Sequence, residues 1–520
     1  MSLLRSVVKV GGYTTISRVL GFVRDQLVAF TLGTGLVAEV FFIAQRIPNL
    51  FRTLFAEGAF NSAFVPLFAR RLEGEGDVSA KHFAQEVFAA LFAWMILFTA
   101  FAIIVMPWLI YVIAPGFSGA PEKIDLAVNL TRVCFPYLLF MSLTALQGGV
   151  LNSLNRFTAA AAAPILLNIV MIASNVLVWV LGTGNTPATG YIFATGVSLS
   201  GVAQFALLAV ACQRAGVSFW PAWPRLTPDV KRVIQLSGPG ILSGGIMQIN
   251  LLVATMIATS LPHAVAFLYY AERLYQLPLG IIGVAIGVVL LPTLSRKLRS
   301  GDLDGAVEAK NRALELSLFL TLPAAAALMT ISVPILHTVF EHGAFHNTDT
   351  LSVAPAVVAF AAGLPAFALT KVFQPGFYAR EDTATPMRFA IISVVVNVIA
   401  SVALSRFFGH VGIAMATTLA AWTNATLLYF RLRKLGHFAF DIRNRERLPL
   451  IVLATVVMAA VLLMLAWSLG AGFAENARFL TSLWALAVLV VTGIGSYFAA
   501  AYLSGAFQVS DLKAAFRRSH

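Results

Sequence analysis

Fourteen stretches of this chain are apolar over about twenty residues, the length at which an α-helix crosses the hydrocarbon layer of a membrane. They run over 5–30, 36–66, 84–112, 127–151, 160–181, 188–212, 231–258, 264–294, 311–336, 350–378, 388–405, 411–430, 449–470 and 480–504. Lipid offers no partner to a backbone N–H or C=O, so each segment must satisfy its own, which a helix does. Only 11% of the 520 residues are charged, against roughly 25% in a soluble protein. The fold class that follows is an all-α polytopic membrane protein with fourteen transmembrane helices. The second and eighth segments are long enough to tilt or break. The first two are weak by hydropathy because they carry charges.

The loops between segments set the topology. With the N-terminus inside, cytoplasmic loops hold Arg70, Arg71 and Lys81, then Arg156, then Arg214, Arg225, Lys231 and Arg232. Arg296, Lys297, Arg299, Lys310 and Arg312 follow, then Arg380 and Arg388, then a dense run from Arg431 to Arg447 and a basic tail. The other side holds Lys123, Arg132, Arg406 and Arg478. This bias places both termini in the cytoplasm and requires an even number of spans. It also accounts for the net charge of +13 without nucleic acid, for which no binding motif is present. The start MSLLRSVVKVGG reads as the beginning of the first helix, not as a cleaved signal. Cys134 and Cys212 lie in different apolar segments and are not expected to form a disulfide.

A faint repeat relates two halves. FVPLFARRLEGEGD (64–77) answers LLPTLSRKLRSGDLD (290–304), and RIPNL (46–50) answers RLYQLPLG (273–280). Both halves start inside, so they form a parallel repeat about an axis along the membrane normal. The expected division is an N-lobe of six helices over 1–222, a C-lobe of six over 223–440, and two added helices with a short tail over 441–520.

Charges inside the spans are the chemical signal. Arg18, Arg24, Arg46, Arg52, Arg273 and Lys371 fall in apolar segments, with Asp25, Glu39, Glu57 and Glu272 among them. Such groups are expensive in hydrocarbon and normally face a wet or protein-lined interior. The surplus is positive, so the interior is expected to receive an anion. The planar fork of arginine holds phosphate oxygens in paired, charge-assisted bonds, and several arginines can surround a diphosphate. The competing reading is that these residues pair helices together or snorkel to the interface. Seven residues apart, Arg18 and Asp25 share a helix face and are expected to neutralise each other in part. Pro48 is expected to kink the second segment beside Arg46 and Arg52. Pro375 and Gly376, just after Lys371, are expected to break the tenth. Asn168, Asn175, Asn250 and Asn397 read as interhelical hydrogen bonds.

No phosphate-binding loop, zinc-protease motif, nucleophile elbow or CxxC pair occurs, and no loop exceeds about 20 residues. The chain reads as a transporter and not an enzyme, without a cofactor. Transport would draw on an ion gradient, the membrane potential or the substrate gradient.

Four runs carry a resemblance to a known family. They are SRVLGFVRDQLVA (17–29), EVFFIAQRIPNLFRTLFAEGAFNSAFVP (39–66), YYAERLYQLPLGIIGVAIGVVLLPTLS (269–295) and KVFQPGFYAREDTATP (371–386). Together they resemble the MurJ (MviN) family of bacterial lipid II flippases, within the multidrug/oligosaccharidyl-lipid/polysaccharide exporter superfamily. The likeness runs the length of the chain. It implies transfer of an undecaprenyl-diphosphate disaccharide-pentapeptide from the cytoplasmic to the periplasmic leaflet of the inner membrane. Two lobes would alternate in access around a basic cavity, and the last two helices would form a groove for the lipid tail. The resemblance assigns the cavity arginines to Arg18, Arg24, Arg52 and Arg273, and the functional acids to Glu39 and Glu57. Asp25, Arg46, Glu272 and Lys371 are secondary candidates. Segment seven holds no acid after Asp229, which speaks against carrying over the family's sodium site; coupling to a monovalent cation or to the potential stays open. The partners implied are lipid II, membrane lipids and other peptidoglycan-synthesis proteins, with a monomeric chain. The alternatives are an exporter of another polyprenyl-diphosphate oligosaccharide, a drug/cation antiporter, and a membrane scaffold for cell-wall enzymes. Buried acids would dominate the antiporter; here bases do.

Overall fold

The computed structural model describes residues 3–53, 60–219, 223–474 and 477–507. Regular structure among them is helical throughout. The first helices are α1 Leu3–Leu32, α2 Leu36–Arg52, α3 Phe60–Gly74, α4 Asp77–Ile113, α5 Pro121–Cys134, α6 Pro136–Ser153, α7 Phe157–Leu181, α8 Pro187–Arg214 and α9 Pro228–Thr259. Then come α10 Ala264–Arg299, α11 Leu303–Thr330, α12 Ser332–Phe340, α13 Asn347–Ala361, α14 Leu364–Tyr378, α15 Ala384–Phe408, α16 His410–Lys434, α17 Ile442–Ser468 and α18 Phe479–Leu503. Prolines open α5, α6, α8, α9 and α14, where the missing N–H would have had no intrahelical partner.

Among the described residues, ten helical segments are long and apolar enough to cross a membrane: α4, α5–α6, α7, α8, α11, α13–α14, α15, α16, α17 and α18. Their surface matches a lipid solvent. On α4 the large side chains Trp94, Leu97, Phe101, Ile104 and Trp108 recur every three or four residues and all lie exposed. In water such a stripe would demand a partner; in a bilayer it is the outer face of a span.

One expected break falls elsewhere. α14 runs unbroken through Pro375 and Gly376 and ends at Tyr378, because a proline near a helix end costs one hydrogen bond and leaves the preceding turns intact. The tenth segment breaks instead at Ala362–Gly363, between α13 and α14. Pro48 lies inside α2, which continues to Arg52. Segments four and nine also divide, at Phe135 and at Ile331.

The described chain packs as two compact units. The first runs to Ala266 and includes Gly343–Phe345; the second holds the rest. In the first, α1 packs on α7, α7 and α6 on α8, and α2 on α5. Small residues bring these helices close. A Cβ on Gly196 of α8 would lie 2.4 Å from the Ser174 hydroxyl of α7, and one on Gly190 would lie 2.9 Å from Leu130 of α5. Phe64, Phe68, Phe83 and Phe88 form an aromatic core in this unit, with the Phe64 and Phe83 rings stacked 5.5 Å apart. Asn175 of α7 accepts from the Thr31 hydroxyl of α1 at 3.1 Å, an interhelical bond of the expected kind. Cys134 and Cys212 are buried free thiols.

In the second unit α15 and α16 form a hairpin and α17 pairs with α18. Gly412 and Gly493 set the two spacings: an added Cβ would meet the Leu404 carbonyl at 2.3 Å and Leu462 at 3.0 Å. α11 packs against both α14 and α17. Hence α17 and α18 are fixed to this unit by packing as well as by chain.

Candidate functional site

The first unit holds most of the charges that the spans should not tolerate. Arg24 of α1 is 9% exposed and its guanidinium is engaged on every side that is described. Nε and Nη2 donate to Asp25 Oδ1 at 3.1 and 2.7 Å, and Nη1 donates to Asn168 Oδ1 of α7 at 3.1 Å. Asn168 in turn donates to the Ser17 carbonyl at 2.8 Å. The ring of contacts links α1 to α7 and leaves a buried cation neutralised by a buried acid. Asp25 was expected to face Arg18; it binds Arg24 instead, and Arg18 lies exposed. Helical periodicity places Cβ atoms, but the arginine side chain is long enough to curl onto its own neighbour.

On α2, Glu39 is 1% exposed and sits in the first helical turn, where the positive end of the helix dipole favours an anion. Lys123 of α5 reaches it with Nζ–Oε2 at 2.6 Å. The same ammonium lies 4.0 Å from the centre of the Phe117 ring. Glu39 Oε1 is buried without a hydrogen-bond partner among the described residues. Seven residues along the same helix, Arg46 donates to the Thr255 hydroxyl of α9 at 3.1 Å, beside a small cavity lined by Ile43, Leu50, Ile113 and Leu251. Arg52, half-buried, donates to Asn49 at 2.8 Å. Glu57 lies outside the described residues.

The second unit contributes Arg273 and Lys371. Arg273 of α10 is half-buried, and its guanidinium stands 4.5 Å over the ring of Tyr269, one turn earlier. Tyr270 is fully buried against Phe340 at 5.3 Å and fixes the turn that carries the pair. A cation over an aromatic face keeps its charge while losing water. Glu272 is half-buried, and Lys371 of α14 is exposed beside the buried Val372 and Phe373.

Sequence reading missed two features. Lys123 had counted only as a loop charge, although a lone lysine on the positive-poor side was a signal. The second is a knot in the second unit where α11 meets the start of α17. Glu315, 8% exposed, receives Arg312 at 2.5 Å, Arg443 at 3.0 Å and Arg447 at 2.9 Å. Asp441 binds Arg312 and caps α17 through the Asn444 N–H at 2.8 Å, while the Asn444 amide donates to Asn311 at 2.6 Å.

Comparison with known proteins gives this geometry its context. A sequence profile described as "Lipid II flippase MurJ" matches residues 28–503. The chain belongs to the MurJ family. A probable lipid II flippase MurJ of Rhizobium tropici is 44% identical over the whole of this chain and 97% of its own length. The Rhizobium meliloti (strain 1021) relative of the same description is 45% identical over the whole chain and 97% of its own. The fold also matches a solved "Lipid II flippase MurJ, inward closed conformation" with a TM-score of 0.78 at 24% identity, covering 95% of this chain and 98% of that one. An inward-facing multidrug resistance MATE transporter of the MOP superfamily matches with a TM-score of 0.69 at 15% identity, covering 83% of this chain and 98% of its own. At such identities the likeness is one of fold. This MurJ-family chain is an all-α polytopic membrane protein.

Proposed function

We propose that this chain moves lipid II, the undecaprenyl-diphosphate-linked peptidoglycan precursor, from the cytoplasmic to the periplasmic leaflet by alternating access through an arginine-lined cavity. Membership of the MurJ family carries the reading, and the residues supply its chemistry. Stripping water from a charged headgroup in hydrocarbon costs tens of kcal/mol on a Born estimate. Guanidinium groups in a water-filled path replace that hydration with paired hydrogen bonds. Arg18, Arg24, Arg52 and Arg273 are the proposed diphosphate ligands, and Glu39 and Glu57 the acids that shape the path. Asp25, Arg46, Glu272 and Lys371 act around them.

The reading includes fourteen spans: the ten above together with α1, the α2–α3 pair, α9 and α10. Residues 1–222 and 223–440 are then two six-helix lobes related by the parallel repeat; α9, which packs with the first unit, opens the second lobe. Residues 441–520 add α17 and α18, whose exposed apolar faces, including Val456, Leu463, Val491 and Phe498, suit the lipid tail. Both termini lie in the cytoplasm.

The test is externally accessible lipid II in bacterial cells depleted of their own flippase and supplied with this chain. The intact chain restores exposure. Arg24→Ala and Arg273→Ala, present in the membrane at normal levels, each abolish it. Exposure restored by either variant would refute the arginine path, and no exposure with the intact, inserted chain would refute lipid II as the cargo.

A further inference from the structure

The second unit holds a second group of basic side chains, remote in sequence from the proposed arginine path. Lys310 comes from α11, Arg380 from the turn after α14, and His437 from the turn after α16. Lys310 is fully buried and its Nζ donates to the His437 carbonyl. Arg380 Nη1 donates to the Gly376 carbonyl at 2.9 Å, and Lys310 Cδ lies 3.6 Å from where a Cβ on Gly376 would stand. Both cations therefore close on one turn of α14. Arg380 and His437 are half-exposed, so the group opens outward with Lys310 at its base. His437 Nδ1 is buried and makes no hydrogen bond among the described residues.

No described carboxylate lies within ion-pair reach of any of the three, and several acids of the same unit are engaged elsewhere. Glu315 holds Arg312, Arg443 and Arg447; Asp441 holds Arg312; Asp302 holds Lys297. Asp382 accepts the Thr385 N–H at 2.9 Å and is held below the usual carboxylate range by that bond. His437 titrates below the ordinary histidine range, first through burial and then through Arg380 and Lys310, so its ring is neutral at physiological pH. The carbonyls at the end of α16 offset part of the Lys310 charge. They offer nothing to Arg380 or to His437 Nδ1. A buried ammonium beside a guanidinium without a counter-charge is costly, and a diffusible anion would complete the group.

We propose that Lys310, Arg380 and His437 form a phosphate-binding site that holds the headgroup phosphate of an anionic phospholipid. Its placement on the cytoplasmic leaflet rests on the topology proposed above; the chemistry does not. A tetrahedral oxyanion takes the Arg380 fork at the mouth, with the His437 ring and the Lys310 charge behind it.

Native mass spectrometry of the purified full-length chain tests this, with phosphatidylglycerol, phosphatidylcholine and inorganic phosphate as probes. Phosphatidylglycerol is expected to be retained in preference to phosphatidylcholine. Lys310→Gln and Arg380→Gln should each weaken that retention about tenfold, the equivalent of one charge-assisted hydrogen bond. Displacement by inorganic phosphate would keep the site and make the free ion its ligand. Equal retention of both lipids, or retention unchanged in both variants with thermal unfolding also unchanged, would overturn the proposal. Because the readout is binding, its failure is distinguishable from failure of the flippase reading, which is measured by lipid II exposure.

Discussion

Glu39 and Lys123 show at the residue scale why a buried pair is strong evidence of constraint and weak evidence of stability. The carboxylate is almost inaccessible and the ammonium is its one described ion partner. Removing Lys123 leaves a buried charge, so Lys123→Ala should destabilise by about 3–5 kcal/mol. The double change Glu39→Gln with Lys123→Met should be close to neutral, since it removes both desolvation penalties. Urea unfolding of the three proteins in one detergent checks the order; a double variant as unstable as Lys123→Ala would refute it. The presence of Arg24 and Glu39 as charges within the spans was legible in sequence, because a charge inside an apolar run announces itself. Their partners were not. Asp25 follows Arg24 directly, and Lys123 lies 84 positions from Glu39; periodicity along one helix contains neither choice.

At the scale of elements, the apolar runs translated well into helices, while the interruptions within them did not. Pro375 and Gly376 looked like a break and are helical; Phe135, Ile331 and Gly363 drew no attention and mark the breaks. A run's hydropathy reports its solvent. Where it bends depends on neighbours, as Gly376 shows: its missing side chain makes room for Leu432 of α16, 3.2 Å from the Cβ position. The junction of α11 and α17 is the element-level prediction. Glu315 gathers three arginines from two helices. Glu315→Gln leaves them facing one another, at about 1–3 kcal/mol given their partial exposure. Hydrogen exchange over residues 442–450 should then quicken while residues 384–434 stay protected. Equal exchange in both proteins would remove the junction as the anchor of α17.

For the whole molecule, composition carried the class and long motifs carried the family, while loop charge supplies the proposed topology. The packing units were not legible: α9 reads as the opening of the second repeat yet packs with α3 and α4 of the first unit, a choice made by tertiary contacts. The topology yields a direct test, since both native thiols are buried. Ser300→Cys should react with a membrane-impermeant maleimide only from the cytoplasmic side, and Ser118→Cys only from the periplasmic side; both positions are exposed. Labelling of both from one side would refute the even, inside–inside arrangement. A last consequence follows from the way Arg24 is held. Its guanidinium already carries a carboxylate on one edge and an amide oxygen on another. Any phosphate arriving there performs a ligand exchange, with Asp25 as the leaving group. On the proposed arginine path the affinity is then a difference between two anions competing for one cation, so the equilibrium stays near balance, and a departing headgroup would be replaced by a tethered competitor that never diffuses away.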